Sequence, residues 1–274
     1  MPENPEVITV ARSLEPSIIH KKITGCNVYW DNIIASPSVS RFKEEIIGEV
    51  ISSISTRGKF LVLTLTHYSL LIHLRMEGKF VFRDVGSVLG KHEHVELILD
   101  DAISFRYHDV RKFGKMYLIP KKETFLVKPL VELGVEFDDK KLTPGYLIQA
   151  FSHKKLPIKT VLLDQSIIAG IGNIYDDEIL FLSGIHPLQE ACTLSIDDCL
   201  KIIENTRVVL SHAIQLGGTT IRSFTSSEGV HGLFQNELLI HGKDICFKCG
   251  NCVVKEQIHG RGTYYCPNCQ KIKK

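Results

Sequence analysis

The chain has 274 residues, of which 44% are hydrophobic, so it is long enough for one large or two ordinary globular domains. Its 33 basic and 31 acidic side chains give a formal net charge of +2, which argues against a globally basic nucleic-acid binder and confines any basic surface to local patches. The sequence shows no charged-then-apolar leader and no apolar run of membrane-spanning length, so we expect a soluble intracellular protein.

The first predicted element is a helix that follows the opening segment Met1-Pro2-Glu3-Asn4-Pro5-Glu6. Asn4 is predicted as the helix N-cap and Pro5 as the first helical residue, because these residue types are favoured at those positions. The apolar residues that follow recur every three or four positions as far as about residue 20. This spacing predicts an amphipathic helix.

A second interpretation of the opening segment concerns chemistry. Removal of Met1 would leave Pro2 with a free secondary amine, which can attack an electrophilic carbon and hold it as an iminium. Glu3 stands beside it as a candidate general acid or base. The six residues alone favour a simple helix start, so the nucleophilic interpretation depends on the rest of the chain.

The remaining elements change character near Pro120. Between Lys22 and Pro120 the apolar pattern has a period of two, interrupted by a helix near residues 40–47, and short strands with hairpin spacing predict an antiparallel sandwich. The helices predicted beyond Pro120 cover residues 121–133, 142–151, 174–182 and 195–216. We expect an α+β fold whose parts are an N-terminal β-sandwich domain at 1–130, a helical domain at 131–235 and a cysteine-bearing unit at 236–274.

The strongest local motif is a pair of Cys-x-x-Cys sequences: Cys246/Cys249 and Cys266/Cys269. Residues 250–265 separate the pairs, a spacing typical of a zinc ribbon in which four thiolates enclose one Zn²⁺. Four protein ligands leave no open position, so the predicted zinc is structural. Cys252 offers a competing pair, but Gly250 supplies the tight turn expected after the ligand Cys249. Reduced, unpaired thiols are the alternative.

A glycine-rich turn is a candidate anion site. Gly170 and Gly172 precede a predicted helix, whose first backbone N–H groups suit a phosphate. Lys154, Lys155 and Lys159 add positive charge before this turn. The arrangement predicts a helix–two-turn–helix that grips a nucleic-acid backbone, with a plain helix–helix turn as the alternative.

Three other residues have two interpretations each. Arg261 stands between Gly260 and Gly262 at the tip of the predicted ribbon hairpin, where it suits a phosphate or is a solvated turn residue. Met76 and Phe113 lie at strand ends or turns. They are core residues, or they are wedges that enter a base stack.

Considered together, these motifs resemble those of the formamidopyrimidine-DNA glycosylase/endonuclease VIII family of base-excision repair enzymes, over essentially the whole chain. The ordered matches are Met1-Pro2-Glu3-x-Pro5-Glu6-Val7, Arg57-Gly58-Lys59-Phe60, His73-Leu74-Arg75-Met76-Glu77-Gly78, Lys91-His92-Glu93-His94, Asp109-Val110-Arg111-Lys112-Phe113-Gly114, Gly170-Ile171-Gly172-Asn173-Ile174-Tyr175, Gly184-Ile185-His186-Pro187 and Gly260-Arg261-Gly262-Thr263. So many matches in order favour the nucleophilic interpretation of Pro2.

The resemblance implies a bifunctional DNA glycosylase/AP lyase with four catalytic residues. Pro2 would attack C1′ of the damaged nucleotide, and Glu3 would assist ring opening and proton transfer. Lys59 would contact a phosphate and donate a proton during β-elimination. Arg261 would grip the phosphates at the lesion and assist δ-elimination.

The resemblance also implies the partner, which is double-stranded DNA with an oxidised base or an abasic site. Met76, Arg111 and Phe113 would fill the gap left by the extruded base. The full set of implied DNA-contacting residues is His73, Met76, His92, Arg111, Phe113, Lys154 and Asn173. The protein would be a monomer with one structural Zn²⁺, located in a bacterial-type cytoplasm near the nucleoid.

The substrate depends on finer features. Asn4, Ile8 and Ala11 depart from the family pattern, which has Leu or Gly at position 4. The tract from Gly217 through Phe234 resembles the loop that caps a flipped purine, and this favours 8-oxoguanine and formamidopyrimidines. The alternatives are an endonuclease VIII-like enzyme for oxidised pyrimidines and a non-catalytic protein that binds damaged DNA.

Overall fold

The structure, a computed structural model, describes residues 2–219 and 232–273. It divides into two compact units, one formed by residues 2–131 with Thr219 and Gly232, the other by residues 132–218 and 233–273. Among these residues, no helix combines the length and apolar character that crossing a membrane requires.

The first unit combines two α-helices with nine strands in its described part. Their bounds are α1 Asn4–Ile18, β1 Ile23–Val28, β2 Ile34–Ser36, α2 Val39–Ile46, β3 Ser53–Arg57, β4 Phe60–Thr64, β5 Tyr68–His73, β6 Lys79–Asp84, β7 Glu93–Leu99, β8 Ile103–His108 and β9 Lys115–Pro120.

These strands form two sheets around one core. One sheet has the order β1-β7-β8-β6 and the other the order β2-β9-β5-β4-β3, with β2 and β9 parallel and the remaining pairs antiparallel. Leu63, Ile72 and Leu97 from the two sheets are buried in one cluster with Val7 and Leu14 of α1. Each such side chain contributes roughly 1.5–3 kcal/mol on burial. The predicted α+β fold with an N-terminal sandwich is confirmed.

Helix α1 begins one residue earlier than predicted. Glu3 is its N-cap: the Glu3 carboxylate accepts the backbone N–H of Glu6, and Glu6 Oε2 accepts the backbone N–H of Glu3 at 2.8 Å. This reciprocal pair is a capping box. The predicted cap at Asn4 is therefore wrong, because the two acids already satisfy the first N–H groups and release the Asn4 amide for a contact elsewhere.

The second unit is helical, with a small antiparallel hairpin near its end. Its elements are α3 Pro144–Phe151, α4 Ile158–Leu162, α5 Asn173–Ser183, α6 Ile196–Gln215, β10 Val254–Ile258 and β11 Arg261–Tyr265. Gln165 organises the turns between α4 and α5, since its amide donates to the carbonyls of Leu163 and Ile171 and its Oε1 accepts the Gly170 N–H. The predicted helix–two-turn–helix is confirmed.

The helix predicted at residues 121–133 is absent from the structure. Two 3₁₀ turns, Lys121–Glu123 and Leu130–Glu132, occupy this stretch instead. Pro129 explains the difference, because it has no N–H to donate and its ring disfavours helical geometry at the preceding residue.

Candidate functional site

The start of α1 places the predicted nucleophile and acid within the buried part of the first unit. Pro2 is buried, and Glu3 is 4% exposed. The capping box fixes the Glu3 carboxylate through its bond with the Glu6 N–H. Glu6 Oε1 in turn accepts the backbone N–H of Thr219 at 2.7 Å and its hydroxyl at 3.1 Å. The sequence predicts Glu6 as an acid of the first helical turn, which the structure confirms, but its reciprocal bond with Glu3 was not predicted, although the spacing of the two residues is that of a capping box.

Lys59 lies in the two-residue turn between β3 and β4. Arg57 pairs with Phe60 across this hairpin, and Gly58 takes the left-handed φ of 56° that such turns require. Lys59 is only 6% exposed. The Asn4 side-chain amide donates to the Gly58 carbonyl at 3.1 Å, so the structure joins the beginning of α1 to the Lys59 turn.

His73, at the end of β5, is a neutral imidazole rather than a cation. Burial lowers its pKa to about 3, and the charges of Arg75 and Lys59 lower it further in the same direction. Its Nδ1 accepts the backbone N–H of Arg75 at 3.0 Å, which places the ring proton on Nε2. Its ring packs edge-on against Phe60, with 4.7 Å between ring centroids. In this environment His73 is uncharged and has one hydrogen-bond donor, Nε2.

The turn at residues 109–114 is organised by a buried carboxylate. Asp109 Oδ1 accepts the backbone N–H of Arg111 at 3.0 Å, and Oδ2 accepts those of Phe113 and Gly114 at 2.9 and 2.8 Å. The Arg111 guanidinium lies 4.8 Å from the centroid of the Phe113 ring. Phe113 is 50% exposed, which excludes the interpretation that it is a core residue. Asp109 was not singled out from the sequence, although Asp often accepts N–H groups of a following turn.

Met76 occupies a second turn, between β5 and β6, and is half-buried. Tyr107 joins this turn to the first one. A β-carbon on Gly78 would lie 2.1 Å from the Tyr107 hydroxyl oxygen, and one on Gly114 would lie 1.7 Å from it. The hydroxyl thus occupies space that side chains at both glycines would require.

The loop before β7 carries His92, which is half-buried. Arg106 of β8 holds this loop in place. The Arg106 guanidinium, 2% exposed, donates to Glu93 at 2.8 Å and to the Ser87 carbonyl at 3.0 Å. Burial alone would raise the pKa of Glu96, yet hydrogen bonds from neighbouring side chains and the charge of Arg106 lower it to about 2. This network was not predicted from the sequence, because an arginine in a strand is usually exposed to solvent.

In the second unit, Asn173 is the first residue of α5 and contacts the ribbon hairpin. Its Nδ2 donates to the Gly262 carbonyl at 2.9 Å, next to the exposed residue Arg261. Its Oδ1 is buried and accepts no hydrogen bond from the residues that the structure describes. The structure therefore brings the glycine-rich turn and the arginine of the hairpin tip together.

The three lysines before this turn have different environments. Lys154 is partly exposed and lies 3.5 Å from Asp164, while Lys155 is exposed. Lys159 is fully buried and pairs with Asp177 at 2.6 Å. The prediction that Lys159 adds surface charge is therefore wrong, because an acid of α5 neutralises it inside the unit.

Acids of α5 also hold the segment that leads into the ribbon and the ribbon itself. Asp177 Oδ2 accepts the backbone N–H of Tyr264 at 3.2 Å and the imidazole N–H of His241 at 2.6 Å. Glu178 accepts three successive backbone N–H groups from residues 239–241. Burial raises the pKa of Glu178, against the effect of these hydrogen bonds. The hairpin that carries Arg261 is thus anchored on α5.

Four cysteine sulfurs converge at the base of the ribbon: Cys246, Cys249, Cys266 and Cys269, all within 4.8 Å of one another. Two of the Sγ–Sγ distances are 3.5 and 3.9 Å. A tetrahedral Zn²⁺ with Zn–S bonds of about 2.3 Å requires about 3.8 Å between sulfurs, so the four thiolates fit this ion. Cys252 is exposed and does not belong to the cluster, as predicted.

The predicted catalytic residues are divided between the units, with Pro2, Glu3 and Lys59 in the first and Arg261 in the second. The capping tract predicted from Gly217 through Phe234 lies outside the described residues at positions 220–231.

Comparisons with known proteins agree with this architecture. Family models for the formamidopyrimidine-DNA glycosylase N-terminal domain, its H2TH domain, and a zinc finger found in FPG and IleRS match residues 1–116, 133–225 and 246–272. A formamidopyrimidine-DNA glycosylase of Bacillus cereus is 44% identical over 273 residues, covering 98% of this chain and 99% of the relative. The chain belongs to the formamidopyrimidine-DNA glycosylase family.

Solved structures of another family member have the same fold. Wild-type Lactococcus lactis Fpg, in complex with a N7-Benzyl-Fapy-dG containing DNA, is 34% identical and superposes with a TM-score of 0.91, covering 98% of this chain and all of that one. The same wild-type protein in complex with an oxidized pyrimidine containing DNA gives a TM-score of 0.90 at the same identity and coverage. In the present chain, the four-cysteine cluster is a zinc finger with a structural Zn²⁺.

Proposed function

We propose that this chain removes oxidised purines from DNA and then cleaves the strand, with the amine of Pro2 as the nucleophile. The observation that carries the proposal is the arrangement at the start of α1. There the buried residues Pro2 and Glu3 stand together, and the Asn4 amide links them to the turn of Lys59. A nucleophile, an acid or base and a proton-donating lysine are the groups that this reaction requires, and all three lie at the start of α1 or in the turn bonded to it.

The reaction begins when Met1 has been removed, because an amide nitrogen is not a nucleophile. The Pro2 amine attacks C1′ of the damaged nucleotide, the C1′–N bond to the base breaks, and Glu3 supplies and removes protons as the sugar ring opens. An α-amino group titrates near pH ~8 in model peptides, so a small lowering of its pKa makes enough of the unprotonated form. The positive charge of Lys59 acts in this direction.

Strand cleavage follows from the iminium. The double bond between nitrogen and C1′ acidifies the proton on C2′. Loss of this proton forms a carbon–carbon double bond and expels the 3′ phosphate by β-elimination. A second elimination expels the 5′ phosphate. We assign proton donation in the first elimination to Lys59, and the grip on the lesion phosphates, with assistance to the second elimination, to Arg261.

The target atom is not accessible inside a duplex, so the damaged nucleotide is turned out of the stack, at a cost of a few kcal/mol. Met76, Arg111 and Phe113 fill the gap and offset that cost. The half-exposed Phe113 ring, on a turn that Asp109 holds in shape, supports this assignment.

Four further residues are assigned to DNA contacts around the lesion. His92 and Lys154 contact the backbone, and Asn173 does so beside the Arg261 hairpin. His73, being neutral, donates a hydrogen bond through Nε2. The exposure of Lys154 and the position of Asn173 at the start of α5 support these roles. Because the substrate is DNA, we place the protein in the bacterial cytoplasm, near the nucleoid. We propose separately that it acts as a monomer.

The zinc site holds the hairpin and takes no part in the reaction. Cys246, Cys249, Cys266 and Cys269 would occupy all four positions of the ion, so it cannot activate water.

A second candidate substrate is an oxidised pyrimidine. The complex of Lactococcus lactis FPG with an oxidized pyrimidine containing DNA favours this possibility, since that protein shares the fold over nearly the whole chain. The two substrates are distinguished by single-turnover cleavage of duplexes with 8-oxoguanine opposite cytosine and with thymine glycol. We expect faster cleavage of the first, and a preference for the second would reverse the assignment.

Borohydride reduction tests the nucleophile directly. The processed protein, with its N-terminus established by mass measurement, should form a covalent complex with an abasic-site duplex. A version that retains Met1 should form none. A processed protein that leaves no trapped complex on either lesion or on the abasic site would exclude the lyase mechanism and favour a non-catalytic binder.

A further inference from the structure

Asn4 has an environment that its place in the helix does not explain. It is the first residue of α1 and only 2% exposed. Its Nδ2 donates to the Gly58 carbonyl at 3.1 Å, across 54 residues of sequence. Its Oδ1 is buried and accepts no hydrogen bond from any residue that the structure describes.

A buried amide oxygen without a donor loses its hydration, and no hydrogen bond offsets that loss. Helix capping does not explain why an amide is buried at position 4, because Glu3 and Glu6 already form the capping box. An apolar side chain of similar size at position 4 would be buried without the penalty. A residue that breaks such a rule inside a folded protein is expected at a functional or strained position.

The group that Asn4 holds is the peptide unit joining Gly58 to Lys59. The turn is only two residues long, and Gly58 has a left-handed backbone. The orientation of this peptide therefore sets the position of the Lys59 backbone, from which the side chain extends. The Lys59 side chain is 6% exposed and its charge reaches His73. A hydrogen bond to the Gly58 carbonyl therefore limits the rotation of the peptide that carries Lys59.

We propose that Asn4 is a positioning residue for Lys59 in the strand-cleavage step. It acts through the Gly58 carbonyl, and the buried Oδ1 is tolerated because the same amide must supply the Nδ2 donor. This inference rests on the proposed function, in which Lys59 donates a proton during β-elimination. It assigns Asn4 no part in the attack of Pro2 on C1′.

The test separates two steps on one duplex that contains a preformed abasic site. The rate of borohydride trapping reports formation of the iminium, and the rate of strand cleavage under single-turnover conditions reports elimination. For Asn4→Leu we expect trapping within about twofold of the wild type and cleavage slowed about tenfold or more, because small displacements of a catalytic group cost factors of this size. Asn4→Asp, which also lacks the donor, should behave in the same way.

A double-mutant comparison shows whether the effect passes through Lys59. In a Lys59→Ala background, Asn4→Leu should slow cleavage by less than about twofold, since the group it positions is gone. Asn205→Leu is the matched control: this half-buried asparagine of α6 bonds to Ser183, and its loss should leave the ratio of the two rates unchanged. Melting temperatures are measured in parallel. The ranking of the variants by melting temperature should differ from their ranking by cleavage rate, because the effect on cleavage does not come from lost stability.

Three results would overturn the inference: equal slowing of trapping and cleavage, wild-type cleavage by both Asn4 variants, or the full tenfold loss in the Lys59→Ala background. If Asn4→Leu fails to fold, the same comparisons are made with Asn4→Asp. Failure of the wild type to trap would instead remove the proposed function, so the two failures are distinguishable.

Discussion

The hydroxyl oxygen of Tyr107 lies where a side chain at residue 114 would begin, 1.7 Å from the position of a Gly114 β-carbon. A β-carbon on Gly78 would likewise lie 2.1 Å from this hydroxyl oxygen. One buried ring at the end of β8 therefore packs against both the turn of Met76 and the turn of Phe113. The shapes of the two turns are linked through a third residue, to which no role in DNA binding is assigned.

Gly114→Ala should destabilise the first unit. The new methyl group also meets the Tyr107 ring carbon at 2.6 Å, and overpacking of this kind costs typically about 1–3 kcal/mol or more. Urea unfolding measures the loss. Tyr107→Phe should not rescue the variant, because the ring carbon remains. Gly145→Ala in α3, where the nearest atom is 4.0 Å away, should be neutral or slightly stabilising.

Asp109→Asn should weaken binding to an abasic-site duplex by roughly tenfold. The carboxylate accepts three backbone N–H groups of the turn, and an amide would present a donor to some of them, at a cost of about 1–3 kcal/mol. Arg111 and Phe113 would then lose their fixed orientation. Asp139→Asn is the control, because Asp139 accepts one exposed N–H, from Lys141, and should bind as the wild type does. Undiminished binding by Asp109→Asn would contradict the role of this carboxylate.

Trp30 should report DNA binding by its fluorescence. It is the single tryptophan of the chain, and the Lys112 ammonium lies 3.9 Å from the centroid of its ring, beside Arg111. A phosphate that approaches Lys112 would alter this cation–π contact. We expect the emission to change when an abasic-site duplex is added, with a smaller change in Lys112→Gln. If a gel shift shows full complex while the emission stays constant, the DNA does not reach this side of the turn.

Cys246→Ser and Cys252→Ser should differ sharply. Cys246 is one of the four clustered thiols and Cys252 is exposed outside them, so only the first substitution should lower the zinc content measured on the purified protein. The hairpin with Arg261 would then lose the zinc site that supports it. The affinity for DNA should fall at least about tenfold, with a shallower salt dependence. Equal zinc in both variants would contradict the assigned ligands.

The first unit should lose stability in acid through Glu96. The pKa of this carboxyl is about 2 in the folded chain against an ordinary value of 4.5. A lowered pKa contributes stability that is complete above pH 4.5 and is lost as the pH falls towards 2. Between pH 7 and pH 3 the Glu96 carboxyl should lower the free energy of unfolding of the wild type by about 2 kcal/mol. Glu96→Gln has no carboxyl at this position, so this part of the pH dependence should be absent from the variant. Urea unfolding at several pH values measures it, with the exposed Glu204→Gln as control.

Much of the fold was predictable because its signals are local. The period of two in the apolar pattern predicted β4, β5, β7 and β9. The spacing of the cysteines, together with Gly250 after Cys249, predicted the four zinc ligands. The helix predicted at residues 121–133 failed because the apolar spacing outweighed Pro129, although the backbone restriction of proline is the stronger physical effect.

The site was harder to predict where buried charges are involved. Lys159 was predicted to add positive charge near the glycine-rich turn, and the burial of Arg106 was not predicted at all. The acids that neutralise these two residues lie on other elements, and only the folded chain brings them together. Asn4 was misassigned for a similar reason. Its partner, the Gly58 carbonyl, is distant in sequence, and a backbone carbonyl leaves no mark on the amino-acid pattern.

The bond from Thr219 to Glu6 has a consequence for the order of folding. It joins residues 213 positions apart, in the same unit as the helix that begins the chain. Contacts of such sequence separation form late, because the entropy of closing a long loop must be overcome first. The Glu6 carboxylate therefore gains this partner late in folding, after the local capping box with Glu3 has formed. This acid, in the helical turn that follows the predicted nucleophile, is thus held by a contact with a distant part of the chain, so a change at Thr219 is expected to be felt at the start of α1.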